Sequence, residues 1–130
     1  MGIKYLWDTN TIIYFLQKQF PASAEQFVDN TLKHSPPTIS AITEIELLCW
    51  KTDIEKDLEV LYKFIDEAIV FELEKSIKLK TADIRKTHKI KLPDAIIAAT
   101  ALVHDLTLIT RNTKDFITID RLQVVNPFEK

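Results

Sequence analysis

The chain has a single glycine, Gly2, at its N-terminus. That scarcity restricts the fold more than any other feature of its 130 residues. Loops that cradle phosphates need glycine, because only glycine lets the backbone approach a ligand at unusual dihedrals. A Walker loop, a GxGxxG dinucleotide turn and a GxxG clamp are therefore excluded. The one cysteine, Cys49, rules out an internal disulfide and any cysteine-built zinc site. His34, His88 and His104 are scattered without ligand spacing, and no serine lies in a GxSxG elbow. What the chain has in quantity is carboxylate, with 19 Asp plus Glu.

The length suits one domain spanning 1–130. Ile3–Trp7, Thr38–Ser40, Ala68–Phe71, Leu106–Thr110 and Leu122–Val125 are short, apolar or β-prone, and read as strands. Helical segments separate them. Ile54, Leu58, Leu61, Tyr62 and Ile65 form one stripe. A helix from Leu73 to about His88 places Ile77 and Ile84 inward. Another starts at Leu92-Pro93-Asp94 and is apolar almost all round, as a buried helix should be. Thr52-Asp53 is read as a helix cap, Ser40 or Thr43 as another, and Asn112–Asp115 as a turn. Strands without polar alternation, interleaved with helices, describe a helix-rich, three-layer α/β/α sandwich with a mostly parallel sheet. No apolar run approaches the roughly 20 residues of a membrane helix. The start lacks a signal-peptide pattern, so a cytoplasmic protein is expected.

In open α/β sheets, ligands bind beyond the carboxyl ends of the strands. Four acids fall there or within apolar helices. Asp8 directly follows the first strand, where it can also cap a helix. Glu46 has apolar neighbours on both sides, and Thr43 lies on its side of the helix. The face with Ile42, Ile45 and Cys49 is expected to meet the core, with Glu46 toward Leu47 and Trp50. Asp94 is in the first turn of the most apolar helix, and Asp115 lies just past a strand. Taken singly, each has an ordinary role as a cap, a surface acid or a turn residue. Brought together they would repel, unless a divalent cation lay between them. Oxygen-only donors select Mg²⁺ or Mn²⁺, ions that bind phosphate and activate water.

Charge distribution points the same way. Residues 75–91 carry seven cations and one acid, net +6. The other ten cations and eighteen acids give net −8. A cationic patch on an acidic body suits a nucleic-acid backbone, although a solvated helix face has the same composition. Lys78, Arg85, Lys86, Lys89 and Lys91, together with Arg111, are the candidate contacts to such a backbone, an RNA in the reading reached below.

Four segments resemble the PIN-domain family, and within it the VapC-type toxins of toxin–antitoxin pairs. They are Leu6-Trp7-Asp8-Thr9-Asn10, Ser40-Ala41-Ile42-Thr43-Glu44-Ile45-Glu46-Leu47, Leu92-Pro93-Asp94-Ala95-Ile96-Ile97-Ala98-Ala99 and Leu108-Ile109-Thr110-Arg111-Asn112-Thr113-Lys114-Asp115-Phe116. The resemblance implies a Mg²⁺- or Mn²⁺-dependent endoribonuclease with one or two ions and a metal-activated water. It also implies a homodimer and a cognate antitoxin. It assigns Asp8, Glu46 and Asp94 as metal ligands and catalytic acids, with Asn112 or Asp115 completing the site. Thr9, Asn10 and Thr110 would orient these groups; ordinary helix and strand capping accounts for them equally well. The alternative from another class is an inactive RNA- or protein-binding module on the same scaffold. Trp50, Tyr62 and Phe64 are the large side chains a small domain could leave for a dimer interface.

Overall fold

The computed structural model describes residues 4–128. Its elements are β1 (Tyr5–Trp7), α1 (Thr9–Leu16), α2 (Ala22–His34), β2 (Thr38–Ser40), α3 (Ala41–Leu48), α4 (Glu55–Glu67), β3 (Ile69–Phe71), α5 (Lys75–Thr87), α6 (Leu92–Val103), β4 (Thr107–Ile109), α7 (Thr113–Phe116) and β5 (Val124–Val125). Of the first predicted strand, Ile3 lies outside the described residues.

All strand pairs are parallel. One ladder runs β1-β4-β5, with Leu6 opposite Leu108, and a second pairs β2 with β3. The Thr38 hydroxyl donates to the Tyr5 carbonyl and joins the two ladders. Strands β1, β2 and β3 therefore step to one side, and β4 and β5 lie on the other. The order reverses between β1 and β4, where such sheets form a crevice beyond their carboxyl ends.

Successive strand residues face opposite ways, and this builds the three layers. Leu6 and Leu108 pack with Ile77 and Ile84 of α5 and the buried face of α6. Trp7, Ile39 and Ile109 pack on the other side with Ile12, Val28, Leu47 and Leu61. Helix α6 is buried continuously from Ala95 to Ala101, as its composition requires. A helix of small and branched apolar residues can sit close against both sheet and α5.

Several local expectations change. In α3 the buried positions are Thr43 and Leu47, while Ile45 is 55% exposed and Cys49 is exposed; only Ile42 of the expected face packs on the core. Both faces of this two-turn helix are apolar, so hydrophobicity alone could not rank them. In α4 Leu61 and Phe64 are buried and Leu58 and Ile65 of the expected stripe pack partly against the core, while Ile54 and Tyr62 are exposed. Phe64 thus completes the interior of the chain. The α4 N-cap is Ile54, and the Thr52 hydroxyl accepts from its N–H. Segment 112–115 is the start of the single-turn helix α7 and not a simple turn.

Without internal glycine, three turns among the described residues use other residues in the left-handed region: Lys18 (φ 55°), Asp105 (φ 55°) and Arg121 (φ 68°). Each crowds its Cβ against the following carbonyl, a cost of about 1 kcal/mol.

Candidate active site

Asp8 terminates β1 and caps α1. Its Oδ1 accepts from the Thr11 N–H at 2.8 Å, and its Oδ2 accepts from the Thr110 hydroxyl. Thr110 follows β4, so this bond spans the strand-order reversal. The same hydroxyl oxygen accepts from the Asn112 N–H at 3.0 Å and ties the β4–α7 connection to the carboxylate. The Thr11 hydroxyl donates to the Ile109 carbonyl at 3.0 Å, fixing α1 against β4. Asp8 is 6% exposed. Burial pushes its carboxyl above the usual range, against the lowering effect of Thr11 and Thr110; the charge of Glu46 adds to the rise.

Glu46 comes from α3, which Ser40 caps by accepting from the Thr43 N–H at 3.1 Å. The Thr9 hydroxyl donates to Glu46 Oε1 at 2.6 Å and lies 3.1 Å from the Thr43 hydroxyl. Ser40 Oγ is also 3.1 Å from that hydroxyl. A hydroxyl has one proton. When Thr9 gives its proton to Glu46, Thr43 must supply the proton between the two threonines. Ser40, Thr43 and Thr9 thus form a chain of hydroxyls ending on the carboxylate.

Asp94 occupies the first turn of α6 and is half-buried. Burial raises its pKa most, and Asp115, Asp8 and Glu46 raise it further; Lys91 opposes them. Three acids from distant parts of the chain therefore lie near enough to Asp94 for their charges to bear on it. Asn112 Nδ2 donates to Asp115 Oδ2 at 2.7 Å. Both alternatives near the C-terminus are thus bonded to each other, and the charge of Asp115 is among those that bear on Asp94.

The oxygen-only donor set suits a hard cation, which would offset both the burial that chiefly lifts Asp8 and Asp94 and the neighbouring charges that add to it. Among the described residues, no three Asp, Glu, His or Cys side chains are close enough to hold an ion by themselves. A strongly hydrated ion of the magnesium type asks less of the protein, since it is commonly held by one or two carboxylates and retains water. The arrangement does not fit a closed cage.

The cationic candidates are divided by the fold. Lys78, Arg85 and Lys86 are exposed on α5, while Lys89 and Lys91 lie in the connection to α6. Lys91 alone among them acts on Asp94. Arg111 lies over the Phe128 ring at 4.5 Å and the Tyr14 ring at 5.7 Å. Asn10 is exposed on α1. The sequence reading missed Ser40 as a partner of this cluster, and missed the aromatic seat of Arg111. Only the spacing of Ser40, Thr43 and Glu46 signalled the former.

The PIN domain family model matches residues 5–122, nearly the whole described chain. The chain belongs to the PIN-domain family. Solved structures carry the same PIN fold. A chain of DNA-bound VapBC from Salmonella typhimurium is 25% identical, with 97% of this chain and 99% of that chain covered and a TM-score of 0.82. A toxin–antitoxin complex from Klebsiella pneumoniae is 32% identical, covering 98% and 100%, with a TM-score of 0.71. VapBC-1 from nontypeable Haemophilus influenzae is 26% identical, covering 96% and 98%, with a TM-score of 0.78. No curated protein matches the sequence significantly. The resemblance to VapC-type PIN domains drawn from four sequence segments is borne out, as is the helix-rich α/β fold. Among the described residues, no helix is long and apolar enough to cross a membrane.

Proposed function

We propose that this PIN domain is a Mg²⁺- or Mn²⁺-dependent endoribonuclease and the toxin of a VapC-type toxin–antitoxin pair. One observation supports this reading above the rest: at the carboxyl edge of a parallel sheet, Thr110 bonds Asp8 across the strand-order reversal and Thr9, the residue after Asp8, bonds Glu46 at 2.6 Å. Asp8, Glu46 and Asp94 would hold the cation. When bound, a hard cation supplies Lewis acidity at phosphorus and lowers the pKa of water enough to make it a nucleophile.

The chain's own groups do the rest. Thr11 and Thr110 fix both oxygens of Asp8, and Thr9 fixes one oxygen of Glu46. These carboxylates are oriented before substrate arrives, so little reorganisation is left for the reaction. Lys91 sits close enough to oppose the acids and can take a substrate phosphate. The cations of α5 extend that attraction along the backbone. No side chain needs to form a covalent bond to phosphorus.

The partners follow from the same reading. The neighbouring structures are VapBC and toxin–antitoxin complexes. Exposed Ile45, Leu48 and Tyr62 offer apolar area for a homodimer.

The test is cleavage of single-stranded RNA by purified protein with Mn²⁺, with single-stranded DNA as a parallel substrate. Wild type is expected to cut RNA, and Asp94→Asn to lose about 10³-fold or more in rate, comparable to removing one electrostatic stabiliser. Equal rates would refute the assignment. Saturable RNA protection with no cutting and no Mn²⁺ heat would favour the inactive binding module.

A further inference from the structure

Two clefts away from the acids meet along α2. One, of about 440 Å³, is lined by Lys4, Tyr5, Phe27, Asn30 and His34 among others. The second, of about 610 Å³, shares Phe27 and Asn30 and continues past Gln26 and Lys33 to Asn126. Their α2 residues run from Ser23 to His34 at helical spacing. At 1.5 Å per residue, the groove is about 17 Å long, an open channel suited to a strand.

Its lining is chemically selective. The chain holds 19 acids, yet none lines either cleft. Lys4, Lys33 and His34 are exposed cations or potential cations. His34 Nδ1 donates to the Asn30 carbonyl at 2.8 Å, which leaves Nε2 for a ligand. Tyr5 and Phe27 pack edge to face, with centroids 5.6 Å apart, so the aromatic floor is held rigidly. Amides of Gln26, Asn30 and Asn126 stand beside it. Cations for phosphates, rings for stacking and amides for base edges are the three elements of a single-strand site.

The groove also leads toward the acidic cleft. Its far end includes Val125, whose carbonyl accepts from the Thr110 N–H at 3.0 Å. Thr110 is the residue that holds Asp8.

We infer that the α2 groove binds single-stranded RNA outside the acidic site, holding a flank of the substrate. This deepens the nuclease reading and rests on it only for the choice of RNA as the strand.

Fluorescence anisotropy of a labelled 12-nucleotide RNA, in EDTA so that nothing is cut, tests it. The variants are Lys4→Gln/Lys33→Gln and Phe27→Leu, with thermal melts to show that each is folded. Loss of two phosphate contacts should weaken binding about fivefold or more and reduce the salt slope by about 1.4. Phe27→Leu should weaken binding about threefold or more with the slope unchanged, because stacking releases no counterions. Unchanged affinity in both variants overturns the inference. So does displacement of RNA by poly-glutamate that depends on Lys4 and Lys33 but not on Phe27, which would mean an acidic peptide occupies the groove. If the variants lose RNA affinity while no form cuts RNA, the groove stands and the nuclease reading fails. If wild type cuts RNA and the variants bind and cut alike, the groove alone fails.

Discussion

Thr9→Val should separate site geometry from fold. The Thr9 hydroxyl donates to Glu46 Oε1 at 2.6 Å across 37 residues of sequence. Valine keeps the shape and removes the only proton the threonine can give. A hydrogen bond to a charged group contributes about 1.5–3 kcal/mol. This pair is only partly buried, so the lower end applies, which corresponds to about tenfold. Partners that orient metal ligands change affinity or activity by about 10- to 100-fold. The expected outcome is a Mn²⁺ affinity about tenfold weaker by calorimetry, with a parallel fall in RNA cleavage. Thr9→Ser restores the donor and should recover most of both. Thermal stability should fall by no more than about 1.5 kcal/mol, the lost bond alone, because the cap of the helix that Thr9 starts is Asp8. Unchanged Mn²⁺ affinity in Thr9→Val, or an equal loss in Thr9→Ser, would refute the reasoning.

Three further outcomes follow. Asp94 has a raised pKa in the folded chain, mainly from burial. Between the unfolded value of 3.8 and the folded one, the native state holds the extra proton, so metal-free stability falls as pH rises through that window. Asp94→Asn should therefore be more stable than wild type at neutral pH without metal, with the difference vanishing below that unfolded value; an Asn variant less stable at neutral pH contradicts the sign. Leu47→Ala should cost about 2–5 kcal/mol in urea unfolding, and Ile45→Ala less than about 0.5 kcal/mol, because Leu47 is buried and Ile45 exposed; the reverse order would restore the face first expected. Lys18→Gly should raise stability by about 0.5–1 kcal/mol by relieving its left-handed backbone, and a lowered melting temperature would oppose this.

The legible part of the site was the part fixed by local position. Asp8 after a strand, Asp94 after Pro93 and Asp115 near the last strands each carry a signal within a few residues. The helix of Ala95–Ala101 is likewise legible, because no other environment suits so apolar a surface. Pairings across the chain had no such signal. Nothing near Thr9 announces Glu46, and nothing near Arg111 announces Phe128. In α3, Thr43 faces the core because its hydroxyl finds Thr9 and Ser40 there. An apolar count favours Ile45 instead. Strand order, which decides which acids meet, emerged only when β4 crossed beside β1.

The central claim is that Asp8, Glu46 and Asp94 share one hard cation. The most direct measurement is anomalous diffraction from crystals soaked in Mn²⁺. The account predicts a peak in contact with the Asp8 and Asp94 carboxylates, with Glu46 beside it, that disappears in Asp94→Asn. Saturating Mn²⁺ with no peak in that cleft, or a peak that survives the Asp94→Asn substitution unchanged, would contradict it.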